Sequence, residues 1–380
     1  MRSWRAWAGI LISLLFLVFA FRGQNFGQIR DALGQVNYLY LLPALALYFA
    51  GVWIRAIRWS VLLRPLADVP ARQAFPIVVV GYMANNVLPL RTGELVRSYV
   101  LGRRFGVRKT SALATIAVER LFDGLTMLGF MLTAATVVSL TSELRQVALV
   151  AFVLFAAVLI GLFVLTLGGN LRDRLLQLVL GPLPTPITDR VERLAESFLS
   201  GLGVLTRKTD LALVAGTSLV AWLLEASMYW TIARGFGLEL RDAMGLAAAL
   251  LTTGVANLAT LIPSSPGYVG PFENGVLWVV NGALGVSRSV ALSYALVVHA
   301  ALLFPITLLG LLEWWRQHLS LDQVRLDVEL DGESAVVPDG VGRWAVAATP
   351  LPPGRGSPRQ EATGVGGRDA GRRQRRSVKR

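Results

Sequence analysis

No cysteine occurs in the 380 residues, so disulfides, thiolate metal sites and a cysteine nucleophile are excluded. Histidine is almost as scarce: only His299 and His318 are present, which leaves little material for a histidine-rich metal centre or a Ser-His-Asp triad. There is no Walker loop, no GxGxxG opening a helix and no DxD motif. ATP-driven transport by this chain alone is therefore not expected, and neither a metal nor a cofactor is implied. Acidic residues are outnumbered, 24 against 37 Lys and Arg, and only 16% of the chain is charged.

Apolar sequence is what the chain has in abundance. With 54% hydrophobic residues, a mean hydropathy of +0.55 and repeated long apolar runs, it reads as an all-α, polytopic membrane protein. Full spans are expected near 4–22, 37–58, 111–140, 147–168, 210–233 and 287–314. The basic, short apolar start resembles a cleaved signal peptide, but flanking Trp4 and Trp7 and a second apolar run soon after favour a retained anchor. The external stretches hold few basic residues, Arg22, Arg30, Arg145, Arg234 and Arg241, while the cytoplasmic ones are rich in them. Both termini are thus expected in the cytoplasm of a plasma-membrane protein.

Two apolar segments in opposite halves are broken by Pro and Gly. The first, GYMANNVLPLRTGE, carries Asn85, Asn86, Pro89, Gly93 and Glu94; the second, GVANLATLIPSSPGYVGPFE, carries Asn257, Pro263, Pro266, Gly267, Gly270 and Glu273. Proline removes a backbone donor and clashes with the preceding turn, so neither reads as one continuous helix. In lipid, freed backbone groups persist only against protein or a wet cavity, and such paired interruptions point to a substrate site. Basic flanks on both sides of the first predict a re-entrant hairpin over about 74–100 that enters from the cytoplasm. By continuity the second, about 243–283, enters from outside. The expected architecture is six full spans and two re-entrant hairpins in an inverted-topology repeat, or eight spans if the hairpins cross. The membrane domain covers 1–315, with repeats at about 37–168 and 210–314 and a cytoplasmic connector at 169–209. In that connector Ile187, Val191, Leu194, Phe198 and Leu202 fall at helical spacing, as in an interfacial or a solvated helix.

Residues 316–380 turn acidic, then Pro/Gly-rich, and end GRRQRRSVKR, a composition that predicts a disordered tail. Its basic cluster suits the anionic inner leaflet better than nucleic acid.

Charges inside spans are costly and point to function or to a partner. AVERLFDG places Glu119 and Asp123 on one helix face with Arg120 beside Asp123, facing a polar cavity or forming a structural ion pair. Arg91, Glu94 and Arg97 frame the first break. Arg91, Arg97 and Arg120 are candidate phosphate contacts, since guanidinium forks and half-helix N-termini both suit anions, or else they only neutralise Glu94, Glu119 and Asp123. Asn86, Asn257, Ser264 and Ser265 offer neutral hydrogen bonds, Gly267 gives close backbone approach, and Glu273 is expected opposite Arg91 if the breaks meet. Glu225 is a lone acid in an apolar span, fit to carry a coupling proton or to pair with an arginine of the other repeat. His299 is the second candidate for proton coupling or a buried, bonded histidine. Arg55 and Arg58 are expected at a span end, snorkelling to the interface.

NNVLPLRTGELVRSYVL, ATIAVERLFDGL and IPSSPGYVGPFE together resemble the signature stretches of the lysylphosphatidylglycerol synthase transmembrane-region family, flippase-like integral membrane proteins, over about residues 5–315. The resemblance implies movement of a phospholipid or polyprenyl-phosphate-linked lipid between leaflets. It carries over Asn86, Pro89, Arg91, Gly93, Glu94, Arg97, Glu119, Arg120, Asp123, Pro263, Pro266, Gly267, Gly270 and Glu273 as motif positions. In bifunctional members a separate soluble domain makes the lipid. Only low-complexity sequence follows Trp315 here, so lysyl transfer is not expected. Two rival readings stand beside a translocase: a membrane-embedded glycosyl or headgroup transferase using Asp123 or Glu119 as base, and a non-catalytic partner of a separately encoded lipid synthase or glycosyltransferase. Membrane lipids are the expected partners, with homodimerisation compatible.

Overall fold

The computed structural model describes residues 4–22, 26–88, 92–139, 142–167, 207–262 and 264–316. Arg91, the predicted 187–202 helix and the tail beyond Arg316 lie outside the described residues. Among the described residues all regular structure is helical. The first half comprises α1 (Trp4–Phe21), α2 (Phe26–Gly34), a 3₁₀ turn (Tyr38–Tyr40), α3 (Leu41–Leu63), α4 (Ala71–Val87), α5 (Gly93–Phe105), α6 (Lys109–Ala134) and α7 (Ser142–Leu167). The second comprises α8 (Lys208–Arg234), α9 (Leu238–Ala243), α10 (Leu246–Ala259), a 3₁₀ turn (Pro266–Tyr268), α11 (Pro271–Leu277) running into a π-helical turn (Trp278–Ala283), and α12 (Arg288–Arg316).

Tyr38–Leu63, Lys208–Arg234 and Arg288–Arg316 are each long and apolar enough to cross a bilayer. α6 and α7, at 26 residues, match them in length, and α6 carries the Glu119, Arg120 and Asp123 set. A helix occupies every interval in which a span is expected. One boundary differs with consequence: α3 runs on to Leu63 because the apolar WSVLL after Arg58 continues the helix.

The packing repeats itself. α3 lies along α8, α4 packs on α12 and α6 on α10, while α4 pairs with α5 and α10 with α11. Substituting α8, α10, α11 and α12 for α3, α4, α5 and α6 maps the principal pairings onto one another. The two broken segments therefore occupy equivalent positions, each as a helical hairpin. Each hairpin closes on a glycine. A Cβ on Gly93 would lie 2.1 Å from the Gly81 carbonyl oxygen, and one on Gly275 would lie 2.8 Å from the Ala256 Cα. The Gly93 N–H, orphaned at the start of α5, donates to Asn85 Oδ1 at 2.8 Å.

The hairpin tips meet. Gly267 has φ +74°, and a Cβ there would be 3.6 Å from the Asn86 carbonyl oxygen. Both tips rest on α12 next to Pro305, which lacks a backbone N–H and loosens the helix ladder. Side chains donate to carbonyls in that stretch: Tyr48 Oη to Leu302 at 3.2 Å, and Thr307 Oγ1 to Leu303 at 2.5 Å. Asn86 Nδ2 donates in turn to Thr307 Oγ1 at 2.8 Å.

Gly93→Ala forces a Cβ into backbone that has no flexible end to yield, and overpacking of this kind costs about 1–3 kcal/mol. We expect a lower thermal unfolding midpoint for the detergent-solubilised protein, while Gly216→Ala, with nothing within 4 Å of its Cβ, leaves the midpoint unchanged or raises it.

Candidate functional site

Four arginines and their acids sit where α3, α5, α6 and α8 converge. Arg58 is fully buried; its Nη1 donates to Asp123 Oδ1 at 2.6 Å and to Ser218 Oγ at 2.9 Å, and its Nη2 lies 3.3 Å from Glu119 Oε1. Arg97 holds the same Glu119 with both nitrogens, at 3.1 and 3.0 Å, and stacks 4.3 Å over the Trp59 ring. Arg120 donates to Glu119 Oε1 at 2.7 Å and lies 3.5 Å from Asp123 Oδ2, the expected i, i+3 pair. Trp222 Nε1 gives Asp123 a further bond at 2.7 Å. Beside this cluster Arg55 donates to Glu225 Oε2 at 2.6 Å and stacks 4.6 Å from the Trp222 ring, and Asn257 Nδ2 donates to Glu225 Oε1 at 3.1 Å.

This arrangement corrects the interfacial expectation for Arg55 and Arg58. Both are buried and paired, because α3 continues past them and their partners wait on α6 and α8. The signal available in sequence was WSVLL: an arginine followed by another turn of apolar helix is not at a span end. Trp59, Ser218 and Trp222 were not legible as site residues, since aromatic and hydroxyl residues in an apolar span carry no pattern of their own.

A cavity of about 460 Å³ opens against the cluster and is lined from both halves. Tyr48 and Arg55 come from α3, Tyr82, Asn85 and Asn86 from α4, Glu94 from α5, and Arg120 and Asp123 from α6. α8 adds Trp222 and Glu225, α10 adds Asn257, and α12 adds His299 with the apolar Leu302, Leu303 and Ile306. Exposure separates the arginines: the Arg97 side chain is 3% exposed and Arg58 not at all, whereas Arg120 is 37% exposed. Among the described residues Glu94 accepts a long 3.4 Å bond from Asn85 and forms no ion pair.

The remaining expected site residues are placed as follows. Glu119 and Arg97 stand behind the cavity wall, each bonded to the other. Glu225 pairs with an arginine of the opposite half. Ser264 and Ser265 lie in the second break and outside the cavity wall. Glu273 is held by His299, whose Nδ1 is 2.6 Å from Glu273 Oε1, and by the Gly270 N–H at 2.6 Å. The Gly267 carbonyl lies 2.7 Å from the other His299 nitrogen. Among the described residues no group of three or more His, Asp or Glu could hold a metal ion.

The chain belongs to the family described as the lysylphosphatidylglycerol synthase TM region, whose model matches residues 6–310. It is 27% identical over 299 residues to a UPF0104 membrane protein of Methanothermobacter thermautotrophicus, covering 75% of this chain and 87% of that protein. A second UPF0104 membrane protein of the same organism is 24% identical over 312 residues, 79% of this chain and 90% of the relative. The glycosyltransferase AglD of Haloferax volcanii is 24% identical over 321 residues, 77% of this chain but only about half, 51%, of AglD. No solved structure matches the chain. The family and the long apolar helices together make this a membrane protein.

Removing one partner of a buried ion pair strands the other and costs about 3–5 kcal/mol. Arg58→Ala, which takes from buried Asp123 its shortest ion pair, is expected to abolish recovery of monodisperse protein by size-exclusion chromatography, whereas Arg120→Ala, at the exposed edge, elutes like the parent.

Proposed function

We propose that this member of the family is a lipid translocase. Its cavity takes the phosphate-bearing headgroup of a phospholipid or polyprenyl-phosphate-linked lipid while the tails stay in the bilayer. The observation that carries this reading is the placement of the cluster's cations: Arg58 and Arg97 are buried against Asp123 and Glu119, while Arg120, which shares those two acids, is 37% exposed on the cavity wall. A guanidinium in a poorly solvated site attracts an anion far more strongly than one in water. The cavity volume falls within the range of small-ligand sites, about 300–1,000 Å³, room for a headgroup but not for a whole lipid.

In this account Arg120 meets the phosphate directly, and Arg91 joins it from the first break. Arg97 and Arg58 hold Glu119 and Asp123, which orient Arg120. Asn86, Asn257, Gly267, Ser264, Ser265 and Glu94 supply polar and backbone contacts as the headgroup passes the breaks. The two halves are an inverted-topology repeat with re-entrant hairpins. Helix length supports this: α5 and α10, at 13 and 14 residues, reach about 20 Å at ~1.5 Å per residue, short of the ~30 Å hydrocarbon core. With both termini cytoplasmic in the plasma membrane, the tips meet near the midplane, where alternating access needs its site.

A second reading, headgroup or glycosyl transfer, draws on the similarity to AglD. Asp123 is already engaged by Arg58, Arg120 and Trp222, so Glu94, bonded among the described residues to Asn85 alone, is the acid this reading would use as base. A third, recruitment of a separately encoded synthase, places the function in the tail.

In proteoliposomes we expect the protein to move fluorescent phosphatidylglycerol or a polyprenyl-phosphate analogue between leaflets, and Arg120→Ala to abolish that movement. Movement undiminished in Arg120→Ala removes Arg120 from the mechanism. Turnover of a lipid-linked sugar donor that Glu94→Gln abolishes supports the transferase instead.

A further inference from the structure

His299 presents a hydrogen-bond count that a neutral imidazole does not meet. A neutral ring has one donor nitrogen and one acceptor. Here Nδ1 faces a Glu273 carboxyl oxygen at 2.6 Å and Nε2 faces the Gly267 carbonyl at 2.7 Å. The Gly267 carbonyl only accepts, so Nε2 must donate to it. The short Nδ1 contact then needs one more proton, carried either on Nδ1, making the ring imidazolium against a carboxylate, or on Glu273, donating to Nδ1. The other Glu273 oxygen is already taken by the Gly270 N–H at 2.6 Å, which fixes the carboxyl group in place. In both arrangements the pair is neutral overall and holds one proton more than imidazole with carboxylate.

We infer that His299 and Glu273 form a proton-binding site that latches the second hairpin's break to α12, so that release of the shared proton frees the tip at the cavity. The contacts say why the latch acts on the break. Gly267 has φ +74° and Gly270 φ +101°, so the segment tied by these bonds turns on two glycines. Gly267 is also the point at which the second tip touches the first, beside Asn86. Loss of the proton leaves a net negative charge in a buried site. It also leaves one of the two short contacts as acceptor against acceptor, which the hairpin relieves by moving away.

Among the described residues, no other charge pairs with Glu273 or His299 in place of the proton. Of the titratable groups around the ring, α3 contributes Tyr48 and Arg55, α4 Tyr82, and α8 Glu225 and Tyr229. Arg55 is committed to Glu225 at 2.6 Å, and Tyr48 donates to the Leu302 carbonyl. Tyr229 approaches only through Phe272, whose ring is 6.4 Å from Tyr229 and 4.5 Å from His299. On α2, Arg30 and Asp31 are exposed, and that helix meets α12 further back, through Gln28 at Ser289 and the Ile29 carbonyl at Ser293. His299 itself lines the cavity, so the proton has a route to whatever solvent fills it.

This inference stands apart from the cavity's cargo. It is tested on the full chain in lipid nanodiscs, where the native absence of cysteine lets spin labels be placed at Val87→Cys and Leu261→Cys, exposed positions beside the two tips. The tip-to-tip distance is measured by electron–electron resonance from about pH 5 to about pH 8. The distance is expected to lengthen as pH rises in the doubly labelled parent, and that pH response to vanish in both His299→Gln and Glu273→Gln. A distance that does not change with pH in the parent, or a response that persists in either folded variant, overturns the inference. If His299→Gln fails to fold, Glu273→Gln alone decides.

Discussion

Glu119 is the point on which the structure turns. A carboxylate buried to 1% exposure in an apolar helix is tolerable only when its charge is compensated at close range, and three guanidinium groups from α3, α5 and α6 do so. Those bonds fix α5, the short second arm of the first hairpin, against α6, and fix α3 against both. Asp123, one turn on, extends the cluster to α8 through Trp222, and Arg58 does so through Ser218. The seam between the halves is thus held by the charge pair of Arg55 with Glu225 and by the bonds of Arg58 to Ser218 and of Trp222 to Asp123, rather than by apolar packing alone. In a bilayer, where lipid tails compete for apolar faces, polar contacts give such a seam its specificity.

The same economy explains the cavity. Glycine at the hairpin crossings lets the arms of each hairpin pack at backbone distance, and short arms end inside the protein. The backbone groups freed at their tips meet side chains of α12, where Pro305 loosens the ladder. The space left between the tips and the charged seam is polar on the α6 side and apolar on the α12 side. That division suits an amphipathic guest whose phosphate meets Arg120 while its chains leave along the apolar wall.

Much of this was legible in sequence because membranes enforce simple rules. Apolar runs gave the helices, and Pro and Gly with polar neighbours gave both breaks. The helix-spaced Glu119, Arg120 and Asp123 marked the charged face. What escaped was partnership. Arg55 and Arg58 read as interfacial because a basic residue near the end of an apolar run usually snorkels; only the turn of apolar helix beyond them and acids on other helices reverse that reading. Glu273, expected opposite Arg91, which lies outside the described residues, is bonded to His299, a partner that sequence spacing could not supply. α2 carries too few residues and too little apolar sequence to stand out before packing on α12.

The most direct test of the central claim, that a lipid headgroup occupies the cavity beneath Arg120, is photo-cross-linking in vesicles with phosphatidylglycerol bearing a photoreactive headgroup, followed by peptide mapping. The account predicts adducts on cavity residues such as Met127, Leu258 and Leu261, and their loss in Arg120→Ala. Adducts confined to outward-facing Phe304, Leu308 and Leu311, unchanged in that variant, would contradict it.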